Sequence, residues 1–382
     1  MDAHTLTTDW SLLVRPSLLG LEPYRPGASL EELRAAYGLD EIVKLNWNEG
    51  LQGPFPGVAE AVREELARIW IYPEQAYSDL RESVGGWVGT GPERIVPSHG
   101  IQALIATVAH AFLEPGDAVV VTVPTYGLYA QACAAAGARV VPVPSRDFRH
   151  DPDALAAAAR ESEARIVWLC DPNNPTGSLV ERDEWERLLA GLPERCAVVV
   201  DEAYVEYADP ALRVDRVPDV EAGRPVILLR TFSKIFGLAG LRLGYAVVDE
   251  ELAGFLDVVQ EPFNVNRAAL AAGRASLRSP ELVEERRRSN ELARERLAAL
   301  LVEAGCEPVA SQANFVLVRV GVDDLALTDG LARRGLLVRA GSEFGLDGFV
   351  RITTGPEPLM ERVAAELAEV RAGLAEWEPV EQ

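Results

Sequence analysis

Two residues in this chain have a chemistry open to them that its other basic side chains lack. Lys and Arg together number 37, and Lys44 and Lys234 are the only lysines, so the other 35 are arginines. An arginine stays protonated in a protein, whereas a buried lysine amine can lose its proton, attack a carbonyl and form a Schiff base. Lys234 follows an apolar run and lies in Thr231-Phe-Ser-Lys-Ile-Phe-Gly-Leu-Ala-Gly-Leu-Arg242, which makes it the first candidate for that work. Asp201 follows four apolar residues, so a strand end and a partly desolvated carboxylate are expected, although capping the next turn is the plainer role. Asn174 lies in Asn-Asn-Pro-Thr-Gly, a pattern that makes turns in any protein. Tyr126 in Pro-Thr-Tyr, Arg242 beyond Lys234, and Gly100-Ile101-Gln102 at a helix-like start each also suit ordinary packing, surface or helix-start roles.

Together these types meet what a pyridoxal phosphate site requires. Such a site needs a lysine for the Schiff base, a carboxylate for the pyridinium nitrogen and polar partners for the ring hydroxyl. It also needs an aromatic to stack on the ring, with a helix N-terminus and an arginine for the phosphate.

The elements that must position these residues can be read from the apolar pattern. Val119–Val123, Arg139–Val143, Ile166–Leu169, Ala197–Val200 and Val226–Leu229 read as buried strands, with segments of helix length between them at Tyr126–Ala136, Pro152–Ser162 and Glu181–Ala190. Alternation of this kind predicts an α/β fold, a mostly parallel sheet sandwiched by helices. Sites in such sheets lie beyond the carboxyl ends of the strands, where Asp171-Pro-Asn-Asn-Pro-Thr-Gly, Asp201-Glu-Ala-Tyr204 and Thr231-Phe-Ser-Lys234 fall. After about residue 275 the pattern changes to a charged helix over 281–304, read as a solvated face. Strands over Asn314–Val318, Leu336–Arg339 and Phe349–Ile352 and a closing helix over 356–376 follow. The expected organisation is an arm and part of a small domain over 1–45, a large cofactor domain over 46–275, and a second, smaller α/β domain over 276–382.

Composition narrows the partners. The 382 residues carry a net charge of −22, with 48% apolar and 25% charged residues. That sign disfavours nucleic acid, and an anionic substrate must be held by local arginines against the global field. No apolar run reaches membrane-spanning length, and the N-terminus shows no basic segment followed by an apolar core, so a cytoplasmic enzyme is expected. The four cysteines and four histidines show no metal-ligand spacing. Lys44 is expected to occupy a solvated position before the Asn46 loop.

The order Pro-Thr-Tyr126, Pro-Asn-Asn174-Pro-Thr-Gly, Asp201-Glu-Ala-Tyr204 and Ser233-Lys234 with Gly-Leu-Ala-Gly-Leu-Arg242 resembles the fold-type I aminotransferases. Leu21-Glu-Pro-Tyr24-Arg-Pro-Gly, Val43-Lys-Leu-Asn46-Trp-Asn48-Glu49, Tyr72-Pro-Glu and Asn314-Phe-Val-Leu-Val are similar to the histidinol-phosphate aminotransferase branch, over nearly the whole chain. The resemblance implies that Lys234 carries pyridoxal phosphate and shuttles a proton, with Asp201 on the ring nitrogen. It implies Asn174 and Tyr204 at the ring oxygen and Tyr126 against the ring. Thr231, Ser233, Arg242 and the amides of Ile101 and Gln102 would hold the phosphate, with Tyr72 reaching the site of a partner subunit in a homodimer with shared active sites. Arg351 would bind the anionic end of an amino donor or a 2-oxo acid, with Arg339 and Tyr24 assisting when that end is a phosphate and the Asn46 loop lining the pocket. Histidinol phosphate and 2-oxoglutarate are the implied substrates. An aromatic or general aminotransferase, a decarboxylase or specialised biosynthetic enzyme of the same fold, and a non-catalytic regulator are the alternatives. Two stretches depart from the family pattern: its usual Gly-Ser-Asp-Glu is Gly100-Ile101-Gln102-Ala103 here, and its Asn-Glu-Asn-Pro is Asn48-Glu49-Gly50-Leu51.

Overall fold

The computed structural model describes residues 8–23 and 28–374. A helix over Leu30–Tyr37 opens with a capping box between Ser29 and Glu32. A two-residue strand, Val43–Lys44 (β1), then leads into the loop that enters the site. The following strands are Ile95–Ser98 (β2), Ala118–Val123 (β3), Arg139–Pro144 (β4), Ile166–Cys170 (β5), Ala197–Asp201 (β6), Val226–Thr231 (β7) and Gly244–Val247 (β8). They form one seven-stranded sheet in the order β2-β8-β7-β6-β5-β3-β4. β4, β3, β5, β6 and β7 pair in parallel, and β8 runs antiparallel to both β7 and β2.

The central strands β5 and β6 are buried along their whole length, because helices cover both faces and no position alternates to water. Local chemistry sets the covering helices. Pro152–Ser162 begins with Pro152 at its first turn and with the Asp151 side chain accepting from Ala154 N–H. Arg182–Ala190 begins with a capping box between Glu181 and Glu184. The predicted α/β class and the five predicted strands are present. Strands β2 and β8, and helices over Val58–Leu66, Ser78–Val88, Glu250–Val259 and Arg267–Ser276, were not in the sequence-based expectation. β8 spans only Gly-Tyr-Ala-Val and carries no periodicity long enough to read.

A second sheet uses Glu307–Pro308 (β9), Phe315–Arg319 (β10), Arg339–Ala340 and Phe349–Thr353, with Leu336–Leu337 lying apart from it. With Leu336–Leu337 as β11, Arg339–Ala340 as β12 and Phe349–Thr353 as β13, the antiparallel order is β12-β13-β10-β9, while β11 pairs in parallel with β1. The single strand predicted over 336–339 is therefore two, parted at Val338, because the chain leaves one pairing for another. The helix over Pro280–Glu303 is solvated on its charged face only. Val283, Leu297 and Leu301 are buried, while Arg287 pairs with Glu284 and Glu291. The apolar interior forms two clusters, one around the seven-stranded sheet and one around Leu45, Leu297, Val316, Val350 and Met360. No helix among the described residues is long and apolar enough to cross a membrane.

A buried ion network ties together the strand ends that reach the site. Arg216, almost wholly enclosed, donates from Nη2 to Asp171 Oδ2 (2.5 Å) just past β5, and from Nη1 to Glu202 Oε1 (3.1 Å) just past β6. Its guanidinium lies 4.6 Å from the Trp185 ring, and Arg230 on β7 takes the other Glu202 oxygen at 2.8 Å. Removing one partner of such a network strands the opposite charges in a dry interior. Arg216→Met is therefore expected to lower the stability of the cofactor-free chain by about 3–5 kcal/mol, read as a shift of the urea unfolding midpoint.

Candidate active site

The carboxyl ends of β5, β6 and β7 converge on one cleft. Lys234, three residues beyond β7, is half-buried, and its Nζ donates to the Trp47 carbonyl at 2.9 Å. The same amine lies 5.5 Å from the centre of the Tyr204 ring. Burial lowers its pKa to about 7, the Arg351 charge adds to the depression, and Glu49 and Asp201 oppose it. A large fraction of the amine is thus unprotonated near neutrality, the form a nucleophile and proton carrier needs.

Asp201 ends β6 and is buried. Its hydrogen-bond donors are neutral: the Tyr129 hydroxyl at 2.6 Å and the Ala203 N–H at 3.0 Å. Burial raises its pKa to about 6, against the lowering effect of those two donors and of Lys234. A buried carboxylate with only neutral donors is suited to an incoming cation. Tyr129 was not singled out in the sequence. It stacks on Trp168 with centroids 5.0 Å apart and meets Tyr126 edge-on at 5.5 Å. Its spacing of three from Tyr126, at the start of the Leu128–Ala136 helix, was the available signal.

The Ile101–Phe112 helix starts at Gly100, whose φ is +99° and which has no capping side chain. Its first amides and the positive end of the helix dipole are thus open to an anion. A Cβ at Gly100 would lie 2.8 Å from Arg242 Nη2, so the glycine lets this guanidinium close on the helix start. Arg242 also donates to the Ala239 carbonyl at 3.1 Å. Thr231 and Ser233 are buried together: Ser233 N–H donates to Thr231 Oγ1 at 3.0 Å, and Thr231 Oγ1 lies 3.2 Å from the Leu243 carbonyl. Gln102 Nε2 donates to the Tyr126 hydroxyl at 2.7 Å. With a buried carboxylate at Asp201 and an uncapped helix start beside Arg242, two groups that both act on Lys234, the residues present fit a phosphorylated pyridine aldehyde.

Two arginines stand abreast beyond this cleft. Arg339 on β12 and Arg351 on β13 are direct cross-strand partners. Arg351 is buried, donating to Asn174 Oδ1 (2.5 Å) and to the Asn46 carbonyl (2.5 Å). Arg339 pairs with Glu343 at 2.6 Å. Asn46 Oδ1 is buried with no hydrogen-bond partner among the described residues. Tyr72 is exposed and stacked on Phe263, with ring centres 4.9 Å apart. Tyr24 falls outside the described residues.

The Asn46 loop corrects one expectation. Lys44 is not a solvated position: it is half-buried, ion-paired with Glu49 at 2.8 Å, and 3.9 Å from the Trp47 ring centre. Asn48, also not among the sequence candidates for the site, is buried with φ +55° and donates from Nδ2 to the Tyr204 hydroxyl at 3.1 Å. Its backbone N–H bonds to Thr353 Oγ1 and its carbonyl accepts from Asn314 Nδ2. Its marks in the sequence were the Asn-Trp-Asn-Glu motif and its place at the head of the Asn48-Glu49-Gly50-Leu51 stretch.

Known proteins resemble this chain over most of its length. Residues 40–367 match the model of the family described as aminotransferase class I and II. The chain is 36% identical over 359 residues to a histidinol-phosphate aminotransferase of Moorella thermoacetica, covering 94% of this chain and 93% of that protein. It is 35% identical to one of Halalkalibacterium halodurans, covering 94% and 97%. Among solved structures, histidinol-phosphate aminotransferase from Sinorhizobium meliloti in complex with pyridoxal-5'-phosphate superposes with a TM-score of 0.88 at 31% identity, over 95% of this chain and 98% of that one.

Proposed function

The chain belongs to the class I and II aminotransferases, and we propose that it moves an amino group between histidinol phosphate and 2-oxoglutarate. The observation that carries this substrate reading is the Arg339–Arg351 pair in register across β12 and β13. An exchange with these two partners must hold a phosphate in one half-reaction and a carboxylate in the other, and two guanidiniums suit both anions. The curated relatives named as histidinol-phosphate aminotransferases support it.

Pyridoxal phosphate, when bound, supplies the aldehyde that carries the amino group and the ring that accepts electrons. Lys234 would hold that aldehyde and, once released from it, hold and return the substrate proton at Nζ. Asp201 would pair with the ring nitrogen, Asn174 and Tyr204 with the ring oxygen, and Tyr126 with the ring face. Arg242, Ser233, Thr231 and the amides of Ile101 and Gln102 would hold the phosphate. Arg351, turned toward Asn174, would orient the substrate anion, with Arg339 exchanging Glu343 for it. Ile69, Trp70, Ile71 and Tyr72 form an exposed apolar run, which supports a homodimer in which Tyr72 reaches the partner's cofactor. Four buried, unpaired cysteines suit a reducing cytoplasm, where we place the enzyme.

Donor choice is tested by mixing the yellow enzyme with amines in a stopped-flow instrument. Histidinol phosphate is expected to discharge the absorbance faster than phenylalanine or leucine; an equal or slower rate removes the substrate reading while leaving the aminotransferase assignment standing. A second outcome concerns pH. Because a protonated Asp201 cannot pair with a pyridinium, cofactor affinity is expected to fall as pH drops below about 6. The Tyr129 hydroxyl stabilises the charged carboxylate, so its removal raises the Asp201 pKa. Affinity in Tyr129→Phe should therefore begin to fall at a higher pH than in the wild type, as read by equilibrium dialysis.

A further inference from the structure

Trp47 stands between the only two lysines of the chain. The Lys44 ammonium lies 3.9 Å from its ring centre, and Lys234 Nζ donates to its carbonyl at 2.9 Å. Lys44 also closes the loop on itself through Glu49, with Nζ 2.9 Å from Oε1 and 2.8 Å from Oε2. The loop beyond lies tight on the catalytic segment: a Cβ at Gly50 would collide with the Lys234 backbone carbonyl. Asn48 fixes its centre on Tyr204, Thr353 and Asn314, and Arg351 holds its start through the Asn46 carbonyl. The loop from Lys44 to Gly50 is therefore a strap across the lysine that does the chemistry. Its glycine at position 50, one of the departures from the family pattern, is what the close approach demands.

We propose that Lys44 is a positioning residue for the Lys234 amine: by pairing with Glu49 and clamping the Trp47 ring, it holds the Trp47 carbonyl on that amine and offsets part of the Glu49 charge that acts on it. The proposal rests on Lys234 being the amine that serves the cofactor. The charged groups that act on Lys234 are Glu49 from the strap, Asp201 at the end of β6, Arg351 from β13 and Arg242. Of these, Glu49 alone has Lys44 as its counter-ion. Without Lys44, an uncompensated Glu49 stabilises the protonated amine, and a loosened strap admits water. Entering water and the uncompensated Glu49 charge outweigh the loss of the Trp47 carbonyl as an acceptor for the protonated amine, so Lys234 becomes more basic and a poorer proton acceptor at neutral pH. A geometry that left Lys44 a mere loop staple would lower stability without moving the Lys234 titration.

The experiment labels the full-length enzyme, loaded with pyridoxal phosphate and converted to its amine form by donor so that Lys234 is free. Acetic anhydride is applied across a pH series, and peptides are quantified by mass spectrometry; with two lysines in the chain, each site reads separately. In the wild type Lys234 labelling should titrate below the ordinary lysine range, since burial and the Arg351 charge both act against its protonated form. In Lys44→Met the midpoint should rise by roughly one pH unit, the scale on which one nearby charge acts. Lys44→Arg, which keeps the cation over Trp47 and against Glu49, should restore it. Glu49→Gln should move it the other way, downward. An unchanged midpoint in folded, cofactor-loaded Lys44→Met overturns the proposal, and so does a shift of the same sign in Lys44→Met and Glu49→Gln. If Lys44→Met does not fold, Glu49→Gln decides: a fall supports the proposal and no change or a rise overturns it. Equal labelling of Lys234 before and after donor would mean that the lysine never held the cofactor, which removes the cofactor assignment and the proposal with it.

Discussion

Lys234→Ala is expected to lower the rate of amino transfer by about 10⁴-fold or more, the combined scale of losing a covalent group and a proton carrier. The protein should also lose its absorbance band near about 420 nm, the signature expected of a lysine Schiff base of this cofactor. Lys234→Arg should be as inactive as the alanine variant. A guanidinium fills similar space and keeps its charge, but it does not surrender a proton at any pH the protein survives. The native amine is poised differently, with its pKa brought down to about 7 by burial and by Arg351. Steady-state rates and absorbance spectra of the three proteins separate chemistry from packing. A substantial residual rate in Lys234→Arg would mean that charge alone, not a free amine, is what the site uses.

Asp201→Asn is expected to slow the donor half-reaction by about 10²–10³-fold, the usual effect of removing one preorganised electrostatic partner from a reacting centre. The substitution keeps size and one acceptor oxygen but removes the charge that would keep the ring nitrogen protonated. The loss should therefore fall on the rate at saturating donor, with little change in donor binding, because Arg351 and Arg339 lie elsewhere in the site. Asp201→Glu should recover only part of the rate, since the carboxylate would leave the Tyr129 hydroxyl and the Ala203 N–H that hold it at 2.6 and 3.0 Å. Single-turnover traces over a range of donor concentrations check both statements. A purely structural Asp201 would instead show the loss in the unfolding midpoint and not in the saturating rate.

How much of this was legible in the sequence depended on how local its cause was. The strands at Ile166–Cys170 and Ala197–Asp201 could be read because burial on both faces writes a continuous apolar run. The helix at Pro152–Ser162 could be read because its cap and its proline are local. β8 could not, since its identity comes from antiparallel partners on both sides and not from its own four residues. The motifs placed Lys234, Asp201 and Asn174 near strand ends, as a parallel sheet dictates. What the motifs did not carry was pairing across the chain. Asn48 meets Tyr204 over a separation of 156 residues, Tyr129 meets Asp201 over 72, and Lys234 meets the Trp47 carbonyl over 187. Lys44 was misjudged for the same reason: a lysine beside an acidic loop reads as solvated until the fold lays Trp47 beneath it. Arg339 and Arg351 were named as anion ligands, but their register depends on a break at Val338 that the run Leu-Leu-Val-Arg conceals.

The central claim is that the cofactor is carried by Lys234, and reduction of the yellow enzyme with borohydride tests it most directly. Reduction makes the lysine–cofactor bond permanent, so digestion and mass spectrometry locate it. The cofactor mass is expected on the peptide containing Lys234 and absent from the peptide containing Lys44. A modified Lys44 beside an unmodified Lys234, or no modified lysine in a protein that was yellow before reduction, would contradict it.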